Sequence, residues 1–94
     1  MNKMLFANKI RTLREQNGLL QRKVAAALDI DVGLYSKIER GERPAKLEQV
    51  IALASIFNTD EKELLTLWLA DQIKEITEQE KDIVPKAIEL VSHI

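Results

Sequence analysis

Between residues 22 and 46 the chain places Arg22, Lys23, Lys37, Arg40, Arg43 and Lys46. Ammonium and guanidinium groups only donate, which suits them to phosphate oxygens and, from a helix in a groove, to guanine O6 and N7. Among them, Ser36 can bond several base edges and Val32 can touch a thymine methyl. This set can bind a polyanion; it cannot make or break a covalent bond. His93 is the chain's single histidine and there is no cysteine. No acid–base pair, activated nucleophile or metal-ligand spacing is therefore present, and neither an enzyme nor a cofactor or metal is expected. His93 reads as a solvated residue near the terminus.

The net charge of -1 hides an asymmetry. Residues 1–59 carry ten Lys and Arg against six Asp and Glu, and residues 60–94 carry four against nine. Nucleic acid responds to the local field of one face rather than to the total, so the first part can face phosphates and the second cannot. A run of cations is ordinarily just a solvated face; here the acidic residues collect elsewhere. Hydrophobic residues at 46% and charged residues at 31% describe one ordinary folded domain, since a disordered chain has too little apolar content to offset its ordering entropy. The apolar patch at 4–7 is too short for a signal-peptide core. No stretch approaches the roughly 18 apolar residues of a membrane span. A cytoplasmic protein with no membrane partner is expected.

The elements that must hold these side chains all read as helices. Phe6, Ile10 and Leu13 recur at helical spacing before Gly18, predicting a helix over 6–16. Val24, Ala25 and Leu28 mark one over 21–28. Asp31 can cap a third over 32–40 that buries Tyr35 and Ile38 and stops at Gly41. Leu47, Val50, Ile51, Ala54 and Phe57 form a fourth amphipathic stripe, with Asn58 as its stop. Asp60 and Glu63 predict a capping box for a fifth helix. Ile83, Val84, Ala87, Ile88 and Val91 mark a sixth, with Pro85 tolerable only in its first turn.

Two short helices joined by three or four residues form a helix-turn-helix, a spacing that many bundles share. The combination "LREQNGLLQRKVAAALDID" followed by "LYSKIERGERP" is more specific, and over residues 6–65 the chain resembles the phage repressor and Cro family, also called Xre. The resemblance implies an all-α, five-helix phage-repressor-like DNA-binding domain over 1–65, followed by a C-terminal helical extension over 66–94. It also implies a sequence-specific transcriptional regulator of double-stranded DNA, acting as a repressor or controller, and its likeness to small regulators of restriction–modification operons and phage switches implies autoregulation. Val32, Gly33, Ser36 and Lys37 fall on the base-reading positions, Gly33 allowing close backbone approach. Gln21 falls on the phosphate-binding start of the second helix, with Arg22, Lys23, Arg40, Arg43 and Lys46 as further phosphate candidates. Arg14 and Glu39 fall on a structural ion pair that locks the reading helix to the first. The chain departs from the pattern at Leu20, which replaces a hydroxyl cap, at Asp29, which replaces a turn glycine, and near Lys46, where another cap is absent.

The fifth helix is apolar on too many sides for a small monomer. Trp68, Leu69, Ile73, Ile88 and Val91 are therefore expected both to complete the core and to form a homodimer, with two reading helices about 34 Å apart on a palindromic operator. The alternative is an interaction module resembling antitoxins of this fold, whose acidic extension binds a different protein.

Overall fold

Six helices account for most of the chain: α1 (Leu5–Gln16), α2 (Gln21–Ala27), α3 (Val32–Glu39), α4 (Leu47–Ile56), α5 (Glu61–Gln79) and α6 (Val84–Ser92). They are seen in a computed structural model that describes residues 4–94. The helices lie within a residue or two of the spans that the apolar periodicity predicts, and no strand occurs among the described residues.

The first four helices end in the same way. The residues Gly18, Asp29, Gly41 and Asn58 take φ of 64°, 57°, 74° and 51°. The N–H of the residue after each one closes back on the preceding turn: Leu19 on Arg14, Ile30 on Ala25, Glu42 on Lys37 and Thr59 on Ala54. This left-handed stop satisfies carbonyls that the helix leaves unpaired. Asp29 thus adopts the conformation of the glycine it replaces, one that Asp and Asn tolerate better than other side chains.

Starts are more varied. Asp31 Oδ1 accepts from the Leu34 N–H at 2.8 Å, as its position predicts. Lys46 is an extended residue whose own N–H donates to Gln49 Oε1 at 2.8 Å, so the missing cap of α4 is partly replaced from inside the helix. Asp60 caps α5 through the Lys62 N–H at 3.1 Å, as a simple N-cap, and the expected capping box with Glu63 does not form.

The core collects the apolar stripes of α1 to α4 and the first turn of α5: Phe6, Ile10, Val24, Tyr35, Ile38, Val50, Leu53, Phe57 and Leu64 are all buried. Leu65, Leu67 and Trp68 pack against it from outside. α5 continues without a break through residue 66, so the boundary drawn at 65/66 falls inside a helix. Beyond Gln72 no residue is buried and only Val84 is half-buried. α6 buries none of its residues, and the molecule extends to 44 × 24 × 21 Å.

Candidate nucleic-acid interface

α3 is pinned by its inner face. Tyr35, Ile38 and Glu39 are buried, whereas Val32, Gly33 and Lys37 are exposed and Ser36 is half-buried. All four expected base readers therefore lie away from the core. Gly33 has a reason beyond backbone approach: a Cβ there would stand 3.1 Å from Asp31 Oδ1, pressing on the cap that starts the helix.

The inner face is fixed by a polar lock. Arg14 donates from Nε to Glu39 Oε2 at 2.6 Å and from Nη2 to Oε1 at 3.1 Å, while Nη1 donates to the Leu19 carbonyl at 2.9 Å. The side chains are 14% and 3% exposed, so this pair is far better shielded than a surface bridge. Gln21 adds an Nε2 bond to Glu39 Oε1 at 3.2 Å, which ties the start of α2 to the same carboxylate. Burial alone would push the Glu39 pKa up, but the Arg14 hydrogen bonds, helped by Tyr35 and Gln21, outweigh it and hold the carboxyl below its ordinary range. The same hydrogen bond from Arg14 to Glu39 raises the guanidinium pKa. Tyr35 is pushed up chiefly by burial and then by the adjacent carboxylate. Its hydroxyl is buried beside that carboxylate. Three helices thus meet at Glu39, and α3 cannot turn about its axis without breaking several of these bonds.

Around α3 the cations divide. Arg22 and Lys23 are exposed in the first turn of α2, and Arg43 and Lys46 are exposed in the segment between α3 and α4. Arg43 shares a shallow depression of about 300 Å³ with Asp31, Gly33, Leu34 and Lys37, so it borders the exposed face of α3. Gln21 is half-buried, with its amide turned to Glu39; its backbone N–H remains at the start of α2. Arg40 is paired with Glu42 and donates to Ser36 Oγ at 2.6 Å.

Two positioning groups escaped the sequence pattern. The buried Asp71 of α5 accepts from the Leu5 N–H at 2.9 Å and the Phe6 N–H at 2.8 Å, capping α1 across 66 and 65 residues. Trp68 donates its indole N–H to the Ala45 carbonyl at 2.8 Å, fixing the loop that carries Arg43 and Lys46. The half-buried Trp68 therefore serves the fold of its own chain, while Leu69, Ile73, Ile88 and Val91 stand 51%, 56%, 58% and 67% exposed. The visible signal for Asp71 is a lone carboxylate inside the apolar run "LLTLWLADQI", but nothing local names its partner.

A family model described as helix-turn-helix matches residues 10–64, which includes α2, α3, the Arg14–Glu39 lock and the loop between α3 and α4. The chain belongs to the Xre-type helix-turn-helix family. The expected family and fold are thereby established, and as a member of this family the protein is a DNA-binding transcriptional regulator. It is also similar to the control protein C.MunI of Mycoplasma sp., at 37% identity over 70 residues, covering 65% of this chain and 95% of that one. No solved structure matches. The family match stops at Leu64, just before the stretch whose outer residues are most exposed. Among the described residues, no helix of this Xre-type regulator is long and apolar enough to cross a membrane.

Proposed function

We propose that this protein is a dimeric control protein that reads a palindromic DNA operator in the cytoplasm, represses or tunes transcription there, and regulates its own synthesis. The observation that carries the reading is the division of α3 into a locked inner face and an unobstructed outer one. Val32, Gly33, Ser36 and Lys37 occupy that outer face, with Arg43 beside them. Lys37 would donate to guanine, Ser36 would bond a base edge and Val32 would meet a thymine methyl. Arg22, Lys23, Arg43 and Lys46 would hold phosphates, joined by the backbone at Gln21.

Dimerisation follows from the extension. Ile73 and Ile76 of α5 and Val84, Ala87, Ile88 and Val91 of α6 line an open apolar groove of about 330 Å³. A nine-residue helix with no buried residue is too short to persist by itself, so α6 needs a cover. A second copy supplies the same apolar face by two-fold symmetry and matches two reading helices to two half-sites one DNA turn apart.

Selection from random duplex oligonucleotides tests both parts. The expected result is a palindromic motif with half-sites about 10 base pairs apart. Sedimentation equilibrium should show a dimer that Ile88→Asp converts to a folded monomer with weakened operator binding. A selected pool without sequence preference would overturn the DNA-reading role. A monomer in the wild type that dimerises only with a different protein would overturn the symmetric assembly.

A further inference from the structure

The outer stripe of α3 does not stop at Lys37. With about 100° of rotation per residue, Arg40 falls between Ser36 and Lys37 on the helix surface, in line with Gly33 and away from Tyr35, Ile38 and Glu39. Its side chain is 53% exposed yet makes two polar contacts. Nη1 donates to Ser36 Oγ at 2.6 Å, one turn back along the stripe, and Nε donates to the Glu42 carboxylate. Glu42 is itself placed by the stop of α3: Gly41 takes φ 74°, and the Glu42 N–H closes on the Lys37 carbonyl at 2.9 Å.

A guanidinium has five N–H groups in one plane. Two contacts from different nitrogens, one toward the start of α3 and one beyond its end, fix that plane. The Nε–H and one Nη1–H are then occupied, and with Ser36 on the Nη1–H that faces Cδ, the Nη1–Nη2 edge keeps a donor on each nitrogen. Such an edge matches guanine O6 and N7, the pairing that Arg makes most often in the major groove. Arg can also fork onto a phosphate, but that attraction is dominated by net charge. A carboxylate beside it would even weaken that attraction. We propose that Arg40 is a base-reading residue for guanine rather than a phosphate ligand, and that Glu42 is the positioning residue that holds it, together with Ser36, on the reading face. The inference rests on α3 being the DNA-reading helix.

The test uses the full chain as wild type, Arg40→Lys and Glu42→Gln, with the operator recovered by selection, operators changed at single base pairs, and an unrelated duplex, all at one salt concentration. Arg40→Lys keeps the charge and loses the planar fork. It should bind the operator about tenfold or more weakly, bind the unrelated duplex as the wild type does, and become indifferent at one G·C pair. Glu42→Gln should lose several-fold discrimination at that same pair while binding the unrelated duplex equally or more tightly. Arg40, Glu42 and Ser36 are not core residues, and circular dichroism and thermal unfolding should show both variants folded as the wild type. Full operator affinity in Arg40→Lys would overturn the base-reading role. Equal tightening of Glu42→Gln on every duplex would overturn the positioning role. A wild type that selects no sequence at all is a different failure: it removes the reading helix itself, and this inference with it.

Discussion

The helix-turn-helix half and the α5–α6 extension solve opposite problems. In the first, each helix has a defined stop, the inner face of α3 is bolted to α1 and α2 through Glu39, and Lys and Arg outnumber Asp and Glu. In the second, the end of α5 and α6 leave isoleucines and valines in water, and the acidic excess of residues 60–94 lies along α5 and the turn after it. A domain whose own core is complete has no folding reason to add such a surface, and contiguous apolar patches of this kind mark interaction sites. The contrast teaches a division of labour: one half holds a small set of donors at fixed positions, and the other leaves an apolar groove between α5 and α6, which the proposed function assigns to a second copy. Asp71 and Trp68 connect the two, because they sit on α5 yet cap α1 and hold the α3–α4 loop.

Breaking the lock should have the largest effect. Arg14→Ala leaves the buried Glu39 carboxylate without its main partner and should cost about 3 kcal/mol, read as a fall in denaturation midpoint. The same pair sets an acid response. Because the folded-state pKa of Glu39 is lowered, its contribution is fully present above the ordinary carboxylate pKa of about 4.3 and is lost as pH falls through the folded value. Glu39→Gln should be less stable near neutrality and show a shallower loss below about pH 4; equal slopes in the two proteins would mean that another carboxylate governs the response.

The link between the halves comes next. Asp71→Ala strips two N–H groups of their acceptor at a buried helix start and should destabilise by about 2 kcal/mol, whereas Asp71→Asn, which keeps an oxygen, should lose less. A larger loss of protection from hydrogen exchange at the start of α1 than in α2 would place the damage where the structure puts it. A uniform loss would show that α1 does not depend on this cap. The smallest effect is a gain. Asp29→Gly relieves a left-handed aspartate and should raise stability by about 0.5 kcal/mol, while removing a carboxylate near α3 and tightening binding to all DNA modestly.

What could be read from the residue order is what depends on near neighbours. Asp31 as a cap, Gly41 and Asn58 as stops, and Tyr35 and Ile38 as anchors all follow from periodicity and short-range hydrogen bonding. The Arg14–Glu39 pair spans 25 residues and came from the resemblance, since a surface role was the only reading that charge alone allowed. Asp71 and the Trp68 indole lay out of reach because their partners are backbone groups more than twenty residues away, and a backbone group carries no mark in the residue code. The contacts of Arg40 with Glu42 and Ser36 were out of reach for a related reason: only the folded geometry brings the three together.

The central claim is that the outer face of α3 reads bases while the cations around it hold the backbone. Salt titrations of binding to the selected operator and to an unrelated duplex test it with two variants. Lys37→Ala should lose about tenfold on the operator and little on the unrelated duplex, with its salt slope on that duplex unchanged. Arg43→Ala should weaken both duplexes alike and lower the salt slope by about one unit. Equal losses on every duplex for both variants would contradict the account.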